Sequence, residues 1–196
     1  MWKVYYLLLL SIIPLFGVAQ ENQDDFRNFP IVVTIHFQSF SLPFQDLKGH
    51  FRNFGIGIGT EVSYNSDHNW VQHFDLIWFR NKAMGNGLIL SAQSGWRPYI
   101  SNPLYSEIKL GFAYFYGFRP GDSFQQINGK WVKVGKRGKG IFAIPSGITL
   151  GSHNYREDSY ISPFVGYQFM LTGNYAKSLP VTPWSFIQMG TGIHPD

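Results

Sequence analysis

Apolar and polar residues alternate along most of this chain, and the alternation recurs in eight separate segments. A period of two is that of a β-strand, whose successive side chains point to opposite faces. In Ile31–Ser41, Val33, Ile35 and Phe37 share one face, and Thr34, His36 and Gln38 the other. Phe51–Asn65 is the clearest case, with Phe54, Ile56, Ile58, Val62 and Tyr64 set against Gly55, Gly57, Gly59, Glu61 and Ser63. Asn69–Arg80 opposes Trp70, Phe74, Leu76 and Trp78 to His73 and Asp75. Asn86–Arg97 opposes Leu88, Leu90, Ala92 and Trp96 to Ser91, Gln93, Gly95 and Arg97. Leu104–Phe118 opposes Ile108, Leu110, Phe112, Tyr114 and Tyr116 to Glu107, Lys109, Gly111 and Ala113. Gly140–Ser152, Ser159–Thr172 and Pro183–His194 continue the pattern. Pro145 has no N–H for a ladder, so a bulge or disturbed pairing is expected there.

In each segment the second face is small or polar, rich in Gly, Ser and Gln with a few charges. A soluble sandwich would turn its apolar face inward and cover the other with Lys, Glu and Thr. This composition instead suits the interior of a narrow barrel whose apolar face meets lipid. Unpaired backbone groups are not tolerated in hydrocarbon, so the sheet must close. The predicted fold is all-β, an eight-stranded antiparallel transmembrane barrel over residues 30–196.

Connection lengths agree with an N-terminus in the periplasm. The turns at 65–69, 97–103 and 153–158 are then periplasmic and short. The connections at 42–50, 81–86, 118–140 and 172–183 are external and include the two longest. Within 118–140, Asn128-Gly129 signals a two-residue hairpin flanked by Phe124–Ile127 and Lys130–Val134. The fifth and sixth strands are expected to continue outward through it as a ribbon. Trp70, Trp78, Phe79, Trp96, Tyr99, Tyr105, Tyr160 and Trp184 fall near strand ends and are candidates for interfacial girdles.

Composition sharpens this picture. There are 18 Phe, 11 Tyr and 6 Trp, but only 14% of residues are charged. The net charge of +4 is too small and dispersed for a nucleic-acid partner. Lys3, the apolar run Val4–Phe16 and Gly17-Val18-Ala19 read as a signal peptide, residues 1–19, cut before Gln20. Residues 20–29 form a polar periplasmic lead-in. With no cysteine, disulfides, thiolate metal sites and a lipid-anchored N-terminus have no residue to use. No cofactor or zinc motif is present.

Glu61, His73, Asp75, Arg97, Glu107 and Lys109 all project inward in this register. Buried charges must be paired, so they are expected to form a salt-bridge network plugging the lumen. An eight-stranded barrel holds only its own side chains or one small ligand, which argues against a wide pore. His73 and Asp75 are also the candidates for a catalytic base and its orienter, but neither they nor His36–Gln38, His50–Arg52 and His153–Tyr155 carry the Ser that lipid A deacylases place two residues from the His. Lys130, Trp131, Lys133, Lys136, Arg137 and Lys139 make the hairpin a candidate contact for lipopolysaccharide or an acidic partner.

The stretches Phe54-Gly55-Ile56-Gly57-Ile58-Gly59-Thr60-Glu61, His68-Asn69-Trp70, Ser162-Pro163-Phe164-Val165-Gly166-Tyr167-Gln168-Phe169 and Gly190-Thr191-Gly192-Ile193 resemble small outer-membrane β-barrel proteins of the Bacteroidota. Most bacterial barrels end in an aromatic residue, whereas this sequence closes on His194-Pro195-Asp196. The resemblance implies a bacterial outer-membrane location and, in some such barrels, an accessory place in a larger machine with other outer-membrane proteins or surface lipoproteins. The function expected first is therefore a non-enzymatic structural or accessory subunit. The alternatives are a lipid A-modifying enzyme, with His73 or His36 as base, and a small-solute channel.

Overall fold

The alternating segments become strands because each satisfies its backbone sideways while sending apolar side chains out and small or polar ones in. A computed structural model describes residues 29–39, 42, 51–81, 85–118, 123–135, 138–153, 160–176 and 179–194. The expected signal peptide, and all of the lead-in before Phe29, lie outside them. The strands are β1 (Ile31–Ser39), β2 (Phe54–Ser63), β3 (Trp70–Phe79), β4 (Gly87–Trp96), β5 (Tyr99–Ser101), β6 (Leu104–Gly117), β7 (Ser123–Ile127), β8 (Lys130–Gly135), β9 (Lys139–Ser152), β10 (Tyr160–Ala176) and β11 (Leu179–His194).

Eight of them close into a barrel. The antiparallel order runs β4-β3-β2-β1-β11-β10-β9-β6, and β4 pairs with β6 to seal it. The first and last strands meet along their length, from Ile31 opposite Ile193 to Ser39 opposite Ser185. Ile31 and His194 lie at the end that carries the short turns, the periplasmic end in the orientation given above.

The outer wall follows the expected parity. Among the described residues, Phe112 and Phe142 are the most exposed large apolar ones, at 75% and 79%. In a membrane that exposure is to acyl chains rather than water. Trp70 and Trp96 pair directly, and with Tyr99 they face outward at the end with the short turns.

Several expectations change. Phe79, Tyr105 and Trp184 are not girdle residues, because all three are buried inside the barrel. The sixth and eighth segments begin earlier than read, and β10 and β11 run to Ala176 and from Leu179, so most of the supposed 172–183 loop is paired strand. The register shifts there between Gly173 and Ala176. The hairpin exists, but as a separate two-stranded sheet, β7 with β8, and not as a continuation of the barrel ladder. Its Asn128-Gly129 turn has φ of 50° and 77°, the positive values a two-residue hairpin requires. At Pro145 the pairing is disturbed, as expected, but without a bulge. The residue keeps register with Met170 on β10. On its other side the β6–β9 partners stop at Leu110–Ser146 and resume at Ala113–Ala143, with the register unchanged. The missing N–H is absorbed as a local gap in one ladder.

The lumen has two storeys. Toward the end opposite the short turns Ile77, Phe79, Ile89, Ala113, Phe115, Ile141, Ala143, Met170, Trp184 and Phe186 form one buried apolar cluster, with buried polar residues such as Gln38, Asn81 and Thr182 beside it. Phe79 and Phe115 stack at 5.9 Å, and Phe115 lies 5.2 Å from Trp184. The indole N–H of Trp184 donates to Thr172 Oγ1 at 3.1 Å, so its one polar atom is satisfied. Toward the end with the short turns the lumen is polar and charged.

Candidate functional site: the charged lumen

Arg97 follows β4 directly, and its side chain keeps the inward parity of Gln93 and Gly95. It reaches back into the barrel mouth, where it is 1% exposed. Its guanidinium meets the Glu61 carboxylate with two parallel bonds, Nη1 to Oε1 at 3.0 Å and Nη2 to Oε2 at 2.7 Å. The same group donates to Glu107 Oε2 from Nε at 3.3 Å and Nη2 at 3.1 Å. The Tyr105 ring lies beneath it, 4.6 Å from the guanidinium carbon. A planar fork suits this task, since one point charge cannot hold two carboxylates in fixed geometry. His73 closes the lattice from β3, with Nε2 bonded to Glu107 Oε1 and Nδ1 3.6 Å from Glu61 Oε2. Room for Glu107 depends on Gly95, where a Cβ would collide with Glu107 Oε1.

Asp75 and Lys109 occupy the next level. Ser91 donates to Asp75 Oδ2 at 3.4 Å, and Lys109 Nζ sits 5.8 Å from the centre of the Phe164 ring. With His36, Gln188 and the lattice residues they line a cavity of about 20 Å³, room for about one water.

Sequence reasoning missed a second cluster beside the lattice. Arg97 Nη1 donates to His153 Nε2 at 2.8 Å. That leaves the His153 proton on Nδ1, which donates to Ser162 Oγ at 2.9 Å. The Ser162 hydroxyl is also hydrogen-bonded to His194 Nε2 at 3.0 Å. The direction is fixed outward from the guanidinium as far as Ser162, whose oxygen accepts from His153. Tyr160 stacks on His194 at 4.1 Å. Burial, and then the neighbouring Arg97 charge, push His153 down to about 3 from its ordinary 6.5, so it is neutral at physiological pH. A signal was available: His153 continues the inward parity of Thr149 and Gly151, Ser162 that of Phe164 and Gly166, and His194 that of Gly190 and Gly192.

Glu61, His153 and His194 offer donor atoms within 4.8 Å of one another. That set suits a transition metal by type. Arg97 Nη1, however, already bridges Glu61 Oε1 and His153 Nε2. The guanidinium is the resident cation, and a metal would have to displace it.

For catalysis, the structure sets His73 against Glu61 and Glu107 rather than against Asp75. His36 is engaged by Thr34 Oγ1 at 2.8 Å. Ser162 contacts two histidines, His153 and His194, but it is 2% exposed and enclosed between them. All these groups face the packed lumen, away from the lipid wall. Of the hairpin residues, Lys130, Trp131 and Lys133 lie on β8 and Lys139 opens β9, whereas Lys136 and Arg137 lie outside the described residues.

The sequence matches no protein-family model and none of the curated proteins. Solved structures do match. Neisserial surface protein A is similar with a TM-score of 0.56 at 10% identity, over 85% of this chain and 96% of that one. Ail, the attachment invasion locus protein of Yersinia pestis, is similar with a TM-score of 0.51 at 11% identity, over 85% and 97%. This chain has the fold of small eight-stranded outer-membrane β-barrels. At such identities the likeness concerns the fold alone.

Proposed function

We propose that this protein is a non-conducting, non-enzymatic outer-membrane barrel that acts as a structural or accessory subunit of a larger outer-membrane assembly. It is exported by the signal peptide at residues 1–19 and is of the Bacteroidota type that its Gly-alternating strands resemble. The observation that carries the reading is the filled lumen. Aromatic side chains occupy one storey and an ion-pair lattice the other, with space for about one water between the charged groups. That leaves the outer wall and the external hairpin as surfaces where other molecules are met.

Gentle detergent extraction followed by affinity purification tests the subunit reading. Co-purifying outer-membrane proteins or surface lipoproteins are expected, and recovery of a monomer alone counts against it. An unchanged lipid A mass profile on deletion is the expected result for a non-enzyme. Lipid A altered by deletion and by His73→Ala would favour the enzyme instead.

A further inference from the structure

The β7–β8 hairpin is a sheet of its own, and its register decides which side chains stand together. Phe124 is opposite Lys133, and Gln126 opposite Trp131. Directly opposed residues share a face. One face therefore carries Phe124, Gln126, Trp131 and Lys133, while Lys130 stands beside the turn on the other, opposite Ile127. Trp131 is 70% exposed and Phe124 59%. A two-stranded hairpin gains little stability by itself in water, and exposed aromatics on such a ribbon mark an interaction surface.

Charge and position identify the occupant. From 123 to 140 the sequence holds Lys130, Lys133, Lys136, Arg137 and Lys139 and no Asp or Glu. The last residue of β8, Gly135, precedes the first of β9, Lys139, by four positions. An extended chain covers at most about 14 Å in that distance. The hairpin is thus tethered to the rim opposite the short turns, the external rim in the orientation given above. An acidic protein would be drawn by the same lysines, so competition by one is an outcome of the test below. A phosphorylated sugar uses the whole face: its ring stacks on Trp131, its hydroxyls meet Gln126, and its phosphate meets Lys133, while Lys130 adds positive charge from the other side of the ribbon.

We infer that this hairpin binds the phosphorylated sugars of outer-leaflet glycolipid through the face that carries Phe124, Gln126, Trp131 and Lys133, with Lys130 on the opposite face adding to the attraction for phosphate. Such binding is independent of whether the barrel has a protein partner.

The test uses the full-length protein in zwitterionic nanodiscs, with purified lipopolysaccharide and its phosphate-stripped form as probes. Wild type is expected to bind intact lipopolysaccharide, less tightly as salt is raised. Trp131→Ala is expected to lose roughly tenfold or more, as an aromatic anchor does. The Lys130→Gln/Lys133→Gln pair is expected to lose several-fold and to flatten the salt dependence. All variants should keep the heat-modifiable gel mobility of the folded barrel, since the hairpin lies outside its ladder. The inference is overturned if wild type does not bind, if the phosphate-stripped form binds equally well, or if the folded variants bind like wild type. Equal capture by phosphatidylglycerol vesicles, or competition only by an acidic protein, would also overturn it.

Discussion

Arg97 organises the mouth of the barrel: one guanidinium holds two carboxylates and orients His153. Arg97→Met leaves Glu61 and Glu107 buried side by side without their cation. A loss of about 3–5 kcal/mol in unfolding free energy is expected, measured by urea unfolding in lipid vesicles. Arg97→Lys should fall between, because an ammonium keeps the charge but not the fork. His153 supplies a pH dependence whose sign follows from its depressed pKa. Between about 6.5 and about 3 the unfolded chain takes up a proton at this imidazole and the folded chain does not. Its contribution to stability is full above that window and is lost as pH falls through it. Arg97, Glu61, Glu107 and His194 face it and stay in place in His153→Gln, which should flatten the stability–pH slope between pH about 6 and about 4. Identical slopes in both proteins would refute this role. At this scale alternation identified the inward-facing charges, but not that Asp75 and Lys109 stand a level apart from the other four.

At the scale of the element, β9 tolerates a proline because the barrel gives up ladder pairing on one side only. Pro145→Ala restores an N–H opposite the Gly111–Phe112 stretch. It should add about 1 kcal/mol of stability and slow amide exchange around the gap in β6. In the hairpin, Gly129 sits at φ 77°, and a Cβ there would meet no neighbour within 4 Å. Gly129→Ala therefore costs only the backbone strain, about 1–2 kcal/mol. Amide exchange should quicken in β7 and β8 and remain unchanged in the barrel. The hairpin turn was legible because Asn-Gly is a local signal. The ends of β10 and β11 were not, because their outer reaches are held by each other rather than by an apolar–polar pattern.

For the whole molecule, the two lumen storeys act as independent plugs. Trp184→Ala removes the largest side chain of the aromatic storey and should cost about 3–5 kcal/mol. Planar-bilayer recordings should still show no steady conductance, because the Arg97 lattice remains below it. A steady current through wild type would overturn the closed-lumen reading. The aromatic storey also corrects the expectation of a lumen that is small and polar throughout. Phe79, Phe115 and Trp184 have inward parity, but their size and their place near strand ends made an interfacial role the natural reading for Phe79 and Trp184.

The sequence alone determined the strands, their faces and the need for closure, since period-two alternation and backbone satisfaction in lipid are properties of each strand and its neighbours. The tertiary structure alone decided which inward residues share a level. That depends on the stagger of the closed sheet, which brings Glu61, His73, Arg97, Glu107 and His153 together from separate parts of the chain. Stagger is a property of the whole ring of strands, so no single strand carries it.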